Sequence, residues 1–116
     1  METYEVVFHP DYVPEFRELN LAVKEALGEV FDLLRDEGPA LGRPNVDTLK
    51  NSRHANMKEI RVDAADGSWR IALPSIPKRR AIIICGGDKS GVGKDRFYEQ
   101  LISKADARFD RWLRGD

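Results

Sequence analysis

The sequence predicts an α+β fold: a mostly antiparallel four-stranded sheet with an N-terminal helix, or helix pair, and a C-terminal helix. Three observations lead there. Apolar residues keep helical spacing from Phe16 to Leu34, and strand signals crowd around Asp66-Gly67 between Met57 and Cys85. A second amphipathic stripe then follows Val92. With 116 residues, the chain has the length of one domain, expected to span 1–116.

Tyr4 to Phe8 reads as a short strand closed by His9-Pro10-Asp11. Pro14 suits a first helical turn. The apolar positions 16, 19, 23, 26, 27, 30, 31 and 34 then describe one long helix or two broken near Asn20, and Gly38-Pro39 stops it. Residues 39–56 are rich in turn chemistry and too long for an idle connection, which marks a candidate functional loop. Met57 to Asp63 and Ser68 to Leu73 alternate on either side of Asp66-Gly67, a strong hairpin signal. Counting from the turn pairs Asp63 with Ser68 and Arg61 with Arg70. Ala81-Ile82-Ile83-Ile84-Cys85 reads as a strand buried on both faces. The helices are expected on one face of the sheet, with Trp69 and Trp112 in the core.

Composition excludes several classes. Apolar residues at 41% and charged residues at 34% describe a globular protein. No apolar run approaches the roughly 20 residues that cross a bilayer, and the acidic first residues lack a secretory layout. The expectation is a cytoplasmic protein without a membrane partner. One cysteine, Cys85, forms no disulfide framework, and the spacing of Cys85, His9 and His54 matches no metal-ligand set. No metal or cofactor is expected. Gly86-Gly87-Asp88-Lys89-Ser90-Gly91-Val92-Gly93-Lys94-Asp95 mimics a phosphate-binding loop, but Asp95 stands where a magnesium-binding hydroxyl belongs.

The net charge of −1 hides a polarity. Residues 1–38 hold three cations against ten acids, whereas residues 39–104 hold thirteen cations against seven acids. Such a division suggests one face built for an anion. Within the basic stretch, the hairpin pairing sets Arg61 against Arg70, an arrangement that asks for an anion between them. Lys58 points to the opposite strand face from Arg61. Lys89 and Lys94 flank the glycine-rich turn, and Tyr98 lies near the start of the last helix, in reach of that turn. His54 sits in the basic loop, where a structural role and a ligand contact both stay open.

The segments Gly38-Pro39-Ala40-Leu41-Gly42-Arg43-Pro44, Met57-Lys58-Glu59-Ile60-Arg61, Ser68-Trp69-Arg70-Ile71-Ala72 and Gly86-Gly87-Asp88-Lys89, with Arg96-Phe97-Tyr98 beyond, resemble the RelE/ParE toxin superfamily. More narrowly, they resemble its phage-derived Gp49-like branch, which includes HigB-type toxins. The resemblance implies the toxin of a type II toxin–antitoxin pair, neutralised by a helix-turn-helix antitoxin. For RelE- and HigB-like members it implies a ribosome-dependent, metal-free endoribonuclease acting on mRNA. For ParE-like members it implies a non-catalytic inhibitor of DNA gyrase, and a non-toxic regulator of the same fold is a further alternative.

Carried over by position, the resemblance gives Arg61, Arg70, Lys89 and Tyr98 catalytic roles. Arg53, His54, Lys58, Arg79, Lys94 and Arg96 of the basic stretch are the candidate RNA contacts. The chain departs from RelE at Glu59, where RelE carries a lysine important to cleavage. The proton acceptor is thus open among Lys58, Lys89 and Glu59. Cutting RNA through its own 2′-hydroxyl needs such a base, cations for the charge on the phosphorane, and an acid for the leaving oxygen.

Overall fold

The computed structural model describes residues 4–76 and 80–115. Strand β1 (Glu5–Phe8) leads through a turn into α1 (Tyr12–Arg17) and then α2 (Leu21–Glu37). The helical stretch does break near Asn20, whose side-chain oxygen accepts from the Ala22 amide at 2.8 Å and so caps α2. Gly38 ends α2 at a φ of +63°, a conformation open to glycine at little cost. One 3-10 turn (Gly38–Ala40) follows.

The 39–56 segment is not all loop. Val46–Thr48 forms β2, an edge strand antiparallel to β3 (Met57–Ala64). Three residues with only Val46 buried carry too little alternation for a sequence pattern to register. The hairpin register is as counted from the turn: in the pairing of β3 with β4 (Gly67–Ile76), Asp63 faces Ser68 and Arg61 faces Arg70.

The last strand signal resolves into β5 (Arg80–Ile83) and β6 (Cys85–Asp88), interrupted at Ile84. Gly86 to Asp88 therefore belong to the sheet rather than to a loop. Among the described residues the sheet has six strand segments, in the order β1-β5-β4-β3-β2 with β6 also on β4. Only β1 and β5 run parallel. Helix α3 (Lys94–Arg114) closes the described chain.

The helices lie on both faces of the sheet, not on one. Val23, Leu27, Val30, Phe31 and Leu34 of α2 pack with Ile60, Ile71, Leu73, Ala81 and Ile83. Phe97, Leu101, Ala105 and Phe109 of α3 pack with Met57, Ala72, Ile82, Ile84 and Cys85 on the other side. Alternation along β5 supplies both layers, which is why Ala81 to Cys85 is apolar without a break. Each helix has an apolar stripe to bury, and a strand buried on both faces serves both. Trp69 borders the first layer and Trp112 the second, each partly buried.

Salt bridges fasten the ends of this sandwich. Arg108 of α3 donates to both carboxylate oxygens of Glu15 in α1 and to the Ile84 carbonyl, and Arg111 pairs with Asp11. His9 is buried beneath them. Its Nδ1 accepts from the Asp11 amide at 3.0 Å, and its ring lies 5.8 Å from that of Trp112.

Candidate functional site

Cross-strand partners project on one face of a sheet. On the α3 side, Asp47 of β2 is thereby set against Glu59 of β3, and Arg61 of β3 against Arg70 of β4. Each is a like-charge pair, unfavourable alone. The diagonals resolve both. Arg61 Nη1 lies 4.0 Å from Asp47 Oδ2, and Arg70 Nε lies 3.7 Å from Glu59 Oε1. Four charges on three strands thus form an acidic row beside a basic row, joined along the two diagonals.

The two diagonals differ in depth. Glu59 and Arg70 are 7% and 6% exposed, whereas the side chains of Asp47 and Arg61 are 31% and 37% exposed. Arg70 Nη1 donates to the Trp69 carbonyl at 3.0 Å. The same Glu59 oxygen accepts the Tyr98 hydroxyl at 2.8 Å, which ties α3 to the middle of β3. Burial, the bond to Glu59 and the Glu59 charge all push the Tyr98 phenol above its ordinary pKa, so it keeps its proton throughout the neutral range.

A cleft of about 340 Å³ opens over these two rows. Its β2 wall carries Arg43, Asp47, Lys50 and Asn51, and its floor carries Glu59 and Arg61. Lys89, Lys94, Asp95 and Tyr98 close the far side. Lys89 follows β6 directly and is anchored by its amide, which donates to the Ser68 carbonyl at 2.8 Å. Loss of water around it, then the charges of Arg70, Arg61 and Lys94, hold the Lys89 ammonium below its ordinary pKa, with Glu59 opposing. Among the described residues Lys89 and Lys94 form no ion pair, which leaves both ammonium groups to a ligand.

The structure gathers some of the expected residues and not others. Arg61, Lys89, Tyr98 and Lys94 meet at the cleft, and Arg70 backs its floor from beneath without lining the space. Lys58 turns to the opposite sheet face, as alternation requires, and its Nζ donates to the Pro39 carbonyl at 3.1 Å. His54 and Arg53 are engaged with α3 instead. His54 Nε2 lies 2.9 Å from Asp110 Oδ1 and its ring packs edge-on against Phe109, while Arg53 pairs with Asp110. Arg53 does border a groove next to the cleft that also involves Asn51 and Tyr98. Arg96 is exposed in the first turn of α3, away from the cleft, and Arg79 lies outside the described residues.

The glycine-rich turn is not a phosphate cradle. Asp88 Oδ1 accepts from the Ser90 amide at 2.9 Å, the Ser90 hydroxyl at 2.6 Å and the Ser68 amide at 2.9 Å. Those donors are occupied by the protein's own carboxylate. Asp88 is a turn builder, and it aims Lys89 at the cleft. Arg43, Asp47 and Lys50 were invisible as site residues in the sequence because short β2, which carries Asp47 and sets the two flanking cations along the cleft, gave no strand signal.

Helix α3 and the hairpin, with a basic cleft between them and a second helix layer behind, make an α+β domain of the RelE type. A solved structure of a double-arginine variant of the E. coli toxin RelE, in the free state, superposes with a TM-score of 0.66 at 18% identity. It covers 92% of this chain and 98% of its own, which establishes the fold. Residues 14–110 match the family model described as Phage derived protein Gp49-like (DUF891). Two Mycobacterium tuberculosis (strain ATCC 25618 / H37Rv) proteins are similar. One, named "Putative toxin HigB3", is 42% identical over 108 residues, 93% of this chain and 92% of that protein. The other, named "Putative toxin HigB2", is 40% identical over 90 residues, which is 77% of this chain and 44% of that longer relative. The chain belongs to the phage-derived Gp49-like family and is a HigB-like toxin of the RelE superfamily.

Proposed function

We propose that this protein is the toxin of a type II toxin–antitoxin pair and cuts mRNA on the ribosome without a metal, working in the cytoplasm. The convergence of Arg61 and Lys89 over the Glu59–Tyr98 pair carries the reading. In the proposed reaction the 2′-hydroxyl of a bound nucleotide loses its proton to Glu59 and attacks the adjacent phosphorus. The 5′-oxygen leaves with a proton from Lys89, whose lowered pKa makes it the stronger acid. The products are a 2′,3′-cyclic phosphate and a 5′-hydroxyl. Arg61 faces the negative charge that accumulates on the phosphorane. Tyr98 holds Glu59 in place. The Glu59 position, which departs from RelE, is then a change of base rather than a loss of one.

An antitoxin of helix-turn-helix type is the proposed partner, with the ribosome and mRNA as targets. Mapping RNA ends on translating messages after induction tests this. Cuts phased with codons, abolished by Arg61→Ala, are expected. Intact messages with growth arrest and DNA-damage signalling would overturn the nuclease in favour of a gyrase-directed inhibitor.

A further inference from the structure

The β2 wall of the cleft holds an unusual use of one carboxylate. Asp47 Oδ2 accepts from Arg43 Nε at 3.1 Å and from Arg43 Nη2 at 3.0 Å, and the same oxygen lies 4.0 Å from Arg61 Nη1. One anionic oxygen between two guanidinium groups is the setting that a phosphodiester oxygen takes among arginines. The carboxylate is locked in place, because Asp47 Oδ1 accepts from the Thr48 amide at 2.9 Å. It is not sealed off: Arg43 and Asp47 have side chains 75% and 31% exposed, and both line the cleft. Asp47 also pairs across the strands with Glu59, which places it one strand spacing, about 4.8 Å, from the floor of the cleft.

We infer that Arg43, with Arg61 shared between this position and the scissile phosphate, forms a second phosphate subsite that takes the phosphodiester next to the scissile one, and that Asp47 stands in for that phosphate in the free protein. This rests on the nuclease reading for the identity of the ligand. RNA entering the cleft takes Arg61 and Arg43 from Asp47, so every binding event works against a carboxylate already seated there. Affinity for loose RNA is thereby held down. Strong engagement then requires additional contacts, of the kind a message held by a larger assembly supplies.

The test uses binding to a short 2′-O-methyl oligoribonucleotide, which lacks the attacking hydroxyl and reports no cleavage. Dissociation constants are measured over a salt series for wild type, Asp47→Asn and Arg43→Gln. Asp47→Asn keeps the Oδ1 acceptor for Thr48 but drops the charge. It is expected to bind about fivefold tighter, the effect of roughly one exposed ion pair, with a salt slope steeper by about 0.7 for one added phosphate contact. Arg43→Gln is expected to bind more weakly, with a slope shallower by about 0.7. Unchanged or weaker binding by folded Asp47→Asn, or no binding by any of the three proteins at low salt, overturns the subsite. The two readings fail separately: intact messages in the induction experiment reject the nuclease, whereas a flat Asp47→Asn response beside normal Arg61-dependent cleavage rejects only the subsite.

Discussion

The Tyr98 hydroxyl reaches 2.8 Å across from α3 to donate to Glu59 Oε1, and that bond joins the helix to the strand at the floor of the cleft. Removing the hydroxyl in Tyr98→Phe leaves a buried carboxylate oxygen without its hydrogen bond. The expected loss is about 1–3 kcal/mol of unfolding free energy in urea titrations. Glu59→Gln preserves shape but not basicity, so message cleavage is expected to fall about 100- to 10,000-fold. Oligonucleotide binding should persist. Full cleavage by Glu59→Gln would remove Glu59 from the role of base.

Arg70 is a different kind of residue from Arg61 although the two face each other. Arg70→Ala strands Glu59 as a buried charge beside an unfilled space, and about 3–5 kcal/mol of stability is expected to go with it. The double variant Arg70→Ala/Glu59→Gln should recover a good part of that loss, because the uncompensated charge is gone. A denaturation series on the four proteins measures the coupling. Loss of toxicity in Arg70→Ala alone therefore says little about chemistry, and the half-exposed Arg61 is the cleaner probe.

Glycine positions separate sharply in what they tolerate. A Cβ on Gly86 would stand 2.3 Å from Ile71 Cδ1 and 3.0 Å from the Arg70 carbonyl oxygen, so Gly86→Ala must displace the buried Ile71 side chain and crowd the β4 backbone. A cost of about 1–3 kcal/mol is expected. Gly28, inside α2, has nothing within 4 Å of that position. Gly28→Ala should raise stability by about 0.8–1 kcal/mol through helix propensity alone. Thermal unfolding of the pair, with shifts of opposite sign, checks both.

Acid should loosen the protein in a definable way. Asp110 is held below the ordinary carboxyl range by its hydrogen bond from Arg53, Asp47 by the Thr48 amide and Arg43, and Asp88 by Ser90. A carboxyl whose folded pKa is depressed contributes its stability in full above its unfolded value of about 4, and loses it as pH falls through the folded value. Melting temperatures are expected to hold above about pH 5 and drop below about pH 4. Asp110→Asn should flatten that drop while lowering the plateau. A plateau extending unchanged to pH 2 would contradict the assignment.

Cys85 faces α3 with its Sγ 3.6 Å from the Leu101 carbonyl oxygen, and burial pushes its thiol up to about 12. A thiol that is both enclosed and protonated does not react. Alkylating reagents at neutral pH should label it only as fast as α3 opens from the sheet, and far more rapidly in urea. Rapid labelling of native protein would show that the second core layer is loose.

Periodicity makes much of this architecture legible in the sequence itself. Asp66-Gly67 fixed the hairpin register down to Arg61 facing Arg70, and the unbroken Ala81 to Cys85 run announced burial on both faces, although it divides between β5 and β6 beside the central β4. The same run carried an unused message: residues buried on both sides need helices on both sides, which an expectation of one helical face overlooked. Strand β2 escaped because three residues cannot display a period. With it went Arg43, Asp47 and Lys50. Charge composition pointed to a basic region but not to its partners. Sequence distance gives no hint that Arg53 and His54 meet Asp110 on α3, whereas strand alternation alone was enough to send Lys58 away from Arg61.

Helix α3 touches every part of this design at once. Tyr98 near its start reaches the cleft floor, Asp106 and Asp110 midway pin residues 52–54 beside the cleft wall, and Arg108 and Arg111 grip α1. A slip of the rod by a single turn, about 5.4 Å, would break all three attachments together. The cleft at one end and the anchorage at the other thus hang on the same shaft, so freeing the tail is expected to disturb the Tyr98–Glu59 bond as well.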